Sequence, residues 1–450
     1  MGLSHRIRAL VMLTLVSAIW IYAVLVQDPA GEKICAVSLG GAAMLSLFLT
    51  PFRERHTGLG RGLLTGTSLL LLYVWSQTIS LPIAFVRLAS PARAAIQDAL
   101  EPLMPGAGAA TSLSVNPEVT QAFLIRLMAY VALFWITYRL SSERSSSPWI
   151  IALPVMAAGV VEGLLGIIQY VTGPSGEVAH GTYENRNHFA GLMEMTLPFL
   201  IMGAVSMLNG LRGPGKFRML LPASPYLLGS ASVVAAACFS LSRTGVVLVL
   251  LSLVVLTAVA AVRFRLSRTQ WLGLCGGVLV AIPLVVILAP GRLVDRFAQL
   301  PGSGEDRRLL WSQALNVIAD FPWTGCGLGA YRDIWMSHKT SMPLWETDFV
   351  HNDYLQLLAE FGVVGCLIGL AMLAMIAICA VRARRHRDLA IAGAVSLAAI
   401  LLHSLDDFNL YIPANAMLVA WVAGMIAGLE RRQFSASPAF SPSPPERTTP

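Results

Sequence analysis

Long apolar runs separated by short polar breaks dominate this chain. Runs of about 20 residues, each sufficient to cross a bilayer, recur at 9–27, 33–50, 63–85, 120–140, 149–171, 188–208, 222–242, 244–262, 271–290, 352–380, 389–402 and 413–429. The pattern predicts an all-α polytopic membrane protein of about twelve transmembrane helices. The run at 352–380 is longer than a bilayer needs and predicts a tilted or protruding helix; the one at 389–402 is short. Between the runs lie two long polar stretches, 87–119 and 291–350. In 309–321, Leu310, Ala314, Val317, Ile318 and Phe321 share one helical face, which predicts an amphipathic helix lying on the membrane or capping the bundle. A weaker version occupies 91–104. The Pro/Ser-rich tail, 434–450, predicts disorder.

Composition agrees with this reading: 56% of the 450 residues are hydrophobic and 13% are charged, which excludes an ordinary soluble domain. We therefore expect a single transmembrane domain over 1–433. Arg6 and Arg8 precede the first run, but its length and the lack of a small-x-small cleavage site favour a retained span over a signal peptide. The net charge of +7 is a matter of topology. Arg53, Arg61, Arg139, Arg212, Arg263, Arg382, Arg384, Arg385, Arg387, Arg431 and Arg432 all fall at alternate ends of the runs. By the positive-inside rule those ends are cytoplasmic, as are both termini. The stretches 87–119 and 291–350 are then extracytoplasmic, and no nucleic-acid footprint remains. Five of the six cysteines lie in spans and only Cys326 in the long loop, so no disulfide framework follows. No P-loop is present to drive ATP-dependent transport.

Polar residues at the outer ends of the spans are the candidates for chemistry. His351, followed by Asn352 and Asp353, opens the tenth run. An imidazole with an ordinary pKa of about 6.5 suits a general base, although a histidine at headgroup level has a simpler reading as a helix start. Arg243 sits between two runs and reads either as a snorkelling side chain or as a fixed guanidinium facing an anion. Arg307 and Arg308 open the amphipathic segment ahead of Trp311. Arg186 and Asn187 precede the sixth run, as sugar or phosphate contacts or as a capped helix start. His403, Asp406, Asp407 and Asn409 form a polar knot, read as a hydrogen-bonded helix break supporting the site in preference to a metal site. Gly362, Gly365 and Gly369 read as helix-packing glycines, and Gly365 and Gly369 have the spacing of a close helix contact.

The segments GTYENRNHFAGLMEMTLPF, LSRTG, DRRLLWSQALNVIADFPWTGCGLGAYRD, FVHNDYLQLLAEFGVVG and HSLDDFNLYIPANA, in this order over roughly 181–416, resemble the O-antigen ligase/O-antigen polymerase superfamily of bacterial envelope glycosyltransferases. The resemblance implies a multi-span bundle of the lipid-dependent (C-type) glycosyltransferase class in the bacterial inner membrane. It implies transfer of a glycan from undecaprenyl pyrophosphate to an acceptor hydroxyl at the outer face, with inversion and without ATP, cofactor or metal. Carried over by motif, Arg243 and Arg307 hold the pyrophosphate, with Arg308 beside them, and His351 is the base. Arg307 is preferred to Arg308 because it keeps an Arg-x-x-x-Trp spacing to Trp311. Arg186, Asn187, Asn352, Asp353, His403 and Asp406 are then supporting or substrate-binding residues. The acceptor is lipid A-core in a ligase or a second lipid-linked glycan in a polymerase. A protein O-oligosaccharyltransferase and a non-catalytic polysaccharide or lipid transporter are the other readings of the same topology.

Overall fold

In the computed structural model, residues 2–49, 58–103, 109–143, 147–174, 177–210, 216–264, 305–339 and 348–434 are described. The described residues are helical almost throughout, as the apolar runs require: a backbone in hydrocarbon must satisfy its own hydrogen bonds. Helices α1 (Gly2–Leu25), α2 (Pro29–Leu49) and α3 (Gly58–Thr78) come first. The short α4 (Ile83–Ala89) and α5 (Pro91–Leu100) follow, flanked by β1 (Leu81–Pro82) and β2 (Ala110–Thr111), which pair antiparallel. Then come α6 (Pro117–Ser142), α7 (Leu153–Thr172), α8 (Arg186–Gly210), α9 (Lys216–Phe239) and α10 (Arg243–Phe264). After the long loop's α11 (Glu305–Asp320) and α12 (Tyr331–Trp335), α13 (Asp353–Arg382), α14 (Arg387–His403) and α15 (Pro413–Phe434) complete the bundle.

Among the described residues, nine helices are long and apolar enough to cross a membrane. Helix α2 covers the run at 33–50 as far as Leu49, and α3 covers the run at 63–85 only as far as Thr78, where β1 and α4 take over, while the expected span 271–290 and the tail 435–450 lie outside the described residues. Helices α8 and α15 are buried on nearly all sides and form the centre, which is why both are apolar or small-residue-rich all round. Gly424 and Gly428 let α15 lie directly on α6, since a Cβ at either would meet the backbone carbonyls of Phe134 and Tyr138. This is the close contact expected instead at Gly365 and Gly369. Gly365 does sit against the Phe361 and Tyr73 rings, but a Cβ at Gly369 would meet nothing within 4 Å. The first helix belongs to the core: buried Trp20 donates through Nε1 to the Ala414 carbonyl (3.0 Å).

The long run at 352–380 is not one continuous helix. It breaks at Gly362 (φ 61°, ψ −173°), a left-handed conformation open to glycine. The amides and carbonyls freed by the break bond to the loop packed against it. Cys326 N donates to Ala359 O (2.8 Å), Val363 N to Pro322 O (2.8 Å) and Val364 N to Trp323 O (3.2 Å). Tyr73 and Gln77 of α3 clamp the same place, both donating to the Thr324 carbonyl (2.9 and 2.8 Å). Of the two placements expected for the amphipathic segment, α11 takes the cap, with Ala314, Val317 and Phe321 buried against Tyr331, Trp335, Val350 and Ala359. Bonds such as Thr182 Oγ1 to Val24 O (2.8 Å), Val115 N to Cys326 O (2.9 Å) and Ala179 N to Phe239 O (3.0 Å) gather these loops at one end of the bundle. The opposite end carries Arg139, Arg382, Arg384, Arg385, Arg431 and Arg432.

Candidate active site

The polar knot between α14 and α15 is the anchor. Ser404, Asp407 and Asn409 are buried, and the turn they form docks the start of α13. Asp353 N donates to Ser404 O (2.9 Å) and Asp407 O (3.2 Å), while Asp353 Oδ2 accepts from Ser404 Oγ (2.6 Å) and Leu410 N (3.0 Å). Asn352 is the N-cap of α13: its Oδ1 accepts from Tyr354 N (3.0 Å) and Leu355 N (3.1 Å), and its Nδ2 donates to Leu405 O (2.9 Å). On the other side Val350 N donates to Gln356 Oε1 (2.8 Å). His351 is thereby held between two fixed neighbours in a left-handed conformation (φ 54°), strained for a residue with a Cβ. Asn352 and Asp353 are therefore placed as supports, with Asp353 wholly buried.

This docking sets His351 against Asp407. Its Nδ1 lies 3.2 Å from Asp407 Oδ1, which leaves Nε2 as the nitrogen for an incoming group. The Asp407 carboxylate is 1% exposed and crowded with donors. Asp407 Oδ1 accepts from Phe408 N (2.9 Å), Oδ2 accepts from Asn187 Nδ2 (2.8 Å), and His188 Nε2 stands 3.7 Å from Oδ1. Burial alone would raise this carboxyl; the His188 and His351 rings facing it outweigh burial and hold it well below the usual carboxylate range. The Phe408 ring meets both imidazoles edge-on, at 4.7 Å from His188 and 4.8 Å from His351, and Phe349 stacks on it at 4.2 Å.

The neighbouring Asp406 faces the other way and joins two helix starts. Its Oδ1 pairs with Arg307 Nη1 of α11, and its Oδ2 accepts from Thr244 Oγ1 of α10 (2.7 Å). Arg243, the half-buried first residue of α10, precedes Thr244. The sharp entry into α10 uses Leu241 at φ 56°, and Ser242 Oγ accepts from Gly245 N (3.3 Å). Consecutive aspartates thus bring His351, Arg307 and the Arg243–Thr244 helix start to one mouth. Arg308 is exposed beside Arg307, and Arg186 is half-buried at the start of α8. Asn187 is committed to Asp407 through its amide, while Asn185 Oδ1 accepts from Asn187 N (2.8 Å) and caps α8. His403 lies deeper, 1% exposed, paired through Nδ1 with Glu194 Oε1 (2.8 Å).

Residues to which the sequence assigned no individual role occupy the centre. Asp407, His188, Thr244, Phe408 and Glu194 all touch members of the cluster. The signals were present, since Asp407 lies in the knot and His188 stands beside Asn187. Which of two adjacent aspartates meets the histidine depends on the turn's geometry alone. The knot does not converge on a common point: His403, Asp406 and Asp407 each pair with a different element. Among the described residues no group of three or more His, Cys, Asp or Glu is arranged to hold a metal ion.

An all-α polytopic membrane protein with its polar residues gathered at one end of the bundle is the class that fold and site define. Residues 228–370 match the family model Wzy_C, O-Antigen ligase, which supports membership of the O-antigen ligase/polymerase superfamily and an O-antigen ligase/polymerase-type glycosyltransferase. The matched segment contains Arg243, Arg307 and His351, while Asn187, His188, Asp406 and Asp407 lie outside it. Among curated proteins none matches the chain significantly.

Proposed function

We propose that this chain, as a single transmembrane domain over 1–433, moves a glycan from undecaprenyl pyrophosphate to an acceptor hydroxyl at the outer face of the bacterial inner membrane. The observation that carries the reading is the Asp406–Asp407 pair, which sets an imidazole and a guanidinium side by side at the mouth of the bundle. His351 Nε2 takes the proton from the acceptor hydroxyl. The oxygen attacks the anomeric carbon as the bond to the pyrophosphate oxygen breaks, and the anomeric centre inverts. Asp407 stabilises the imidazolium that forms. Arg307 and Arg243 receive the charge developing on the departing undecaprenyl pyrophosphate, helped by the α10 N-terminus and with Arg308 at the rim. Arg307 waits on Asp406, a partner that a pyrophosphate can displace. The arginine-rich opposite end is cytoplasmic by the positive-inside rule, so the site faces outward.

Substituting His351→Ala, with membrane expression verified, tests the reading: surface or secreted glycan is expected to disappear, and normal glycan would overturn it. Arg243→Lys keeps charge but loses the bidentate fork, so near-normal activity would argue against pyrophosphate clamping. A deletion strain separates the acceptors. Accumulated single repeats identify a polymerase, and accumulated long lipid-linked glycan identifies a ligase.

A further inference from the structure

His188 is a buried histidine on the first turn of α8 whose Nε2 has no hydrogen-bond partner. A polar atom in that state is costly unless something draws on it. It faces Asp407 Oδ1 at 3.7 Å, just beyond hydrogen-bond reach. The lone pairs of that oxygen decide what this means. A carboxylate oxygen accepts about two hydrogen bonds. The backbone amide of Phe408 takes one at 2.9 Å, so His351 Nδ1 at 3.2 Å and His188 Nε2 compete for the other. Oδ2, the remaining oxygen, is engaged by Asn187. The Phe408 ring lies edge-on to both imidazoles and holds them on either side of one acceptor.

We propose that His188 is a positioning residue that shares the Asp407 carboxylate with His351 and so sets how strongly His351 holds a proton. The proposal rests on the reading of His351 as the base. With His188 closing on Oδ1, the carboxylate holds the His351 imidazolium less tightly, and the proton taken from the acceptor is more readily released for the next cycle. Without His188, Asp407 belongs to His351 alone and His351 stays protonated to higher pH. Other charged groups around this spot are already engaged. Asp406 pairs with Arg307 and Thr244, Asp353 accepts from Ser404 and Leu410, and Glu194 pairs with His403. Arg243 stands at the α10 start beside Thr244.

The test measures transfer by the purified full chain in nanodiscs between pH 5.5 and 9. The probe is undecaprenyl-pyrophosphate-linked glycan extracted from a strain lacking this chain, supplied with lipid extract of the same envelope. In His188→Leu, the acid limb of kcat/KM is expected to move up by about 0.5–1 pH unit, the size of one shared charge-assisted hydrogen bond. In His188→Gln, whose amide nitrogen occupies the Nε2 position, the limb is expected to return to the wild-type pH. A rate lowered equally at all pH values, with the limb unmoved, would assign His188 to packing and overturn the proposal. If His188→Leu does not fold, His188→Gln against His188→Asn, which is too short to reach Oδ1, carries the same comparison. His351→Ala separates the two levels: retained transfer overturns the base itself, whereas an inactive His351→Ala with an unmoved limb in the His188 variants overturns only the sharing.

Discussion

Replacing Asp407 with Asn removes the carboxylate charge from His351 while keeping the side chain's shape. The amide oxygen still accepts from Phe408 N, and Asn187 can rotate its own amide to meet the new NH2 group, so the turn is expected to persist. Lost is the attraction between carboxylate and imidazolium. At an effective dielectric constant of about 20, unit charges 4 Å apart attract by about 4 kcal/mol. His351 is 32% exposed, so water screens part of this. A hydrogen bond to a charged group contributes about 1.5–3 kcal/mol by itself. Together these put the loss of transition-state stabilisation at about 2–3 kcal/mol, a fall in rate of roughly 30- to 160-fold. The assay is glycan transfer by purified protein in nanodiscs, with thermal unfolding run in parallel to confirm the fold. Transfer within threefold of wild type, from a protein of unchanged Tm, would refute the assignment of Asp407 as the partner of His351.

Asp407 also predicts a pH signature of stability. Its folded pKa is depressed, so its contribution is fully present above the unfolded value of about 3.9 and is lost as pH falls through the folded value. Asp407→Asn should therefore flatten the fall in Tm below about pH 4; an unchanged profile would count against the depressed carboxyl. Gly362→Ala puts a Cβ into the backbone of the docked loop, 2.5 Å from Gly325 N, at positive φ. A destabilisation above about 2 kcal/mol is expected, read as a lower Tm or lost membrane expression; a variant as stable as wild type would refute the break. Glu194→Gln leaves His403 without its buried carboxylate partner, and breaking such a pair should lower stability by about 3–5 kcal/mol. A joint Glu194→Leu/His403→Leu variant should recover most of that loss, measured by the same unfolding assay; equal instability of both variants would assign the effect to packing.

Much of this protein was legible before folding because hydrocarbon is a strict solvent. Apolar runs of this length favour helices, so the all-α membrane class followed from the sequence, as did the end of the bundle carrying the polar motifs; among the described residues nine helices are long and apolar enough to cross a membrane. The amphipathic α11 was legible for the same reason: its 3.6-residue stripe of Leu310, Ala314, Val317, Ile318 and Phe321 predicted one buried face, and packing decided that this face caps the bundle. His351 and Arg243 stood out as polar residues at span ends, and Arg307 at the start of the amphipathic segment. What periodicity could not carry is contact between residues far apart in the chain. That Asp407 rather than Asp406 meets His351 depends on the rotation of one turn. That Asn187 serves the carboxylate depends on the first turn of α8 ending beside it. Whether Gly362 continues a helix or breaks it depends on a loop docking from more than 30 residues upstream. Solvent preference along the chain therefore determined the all-α class, which described segments are long and apolar enough to cross a membrane, and which end carries the polar motifs. Only tertiary packing decided which carboxylate each imidazole and guanidinium would face, because that pairing is set by helix rotation and loop docking over distances no local pattern encodes.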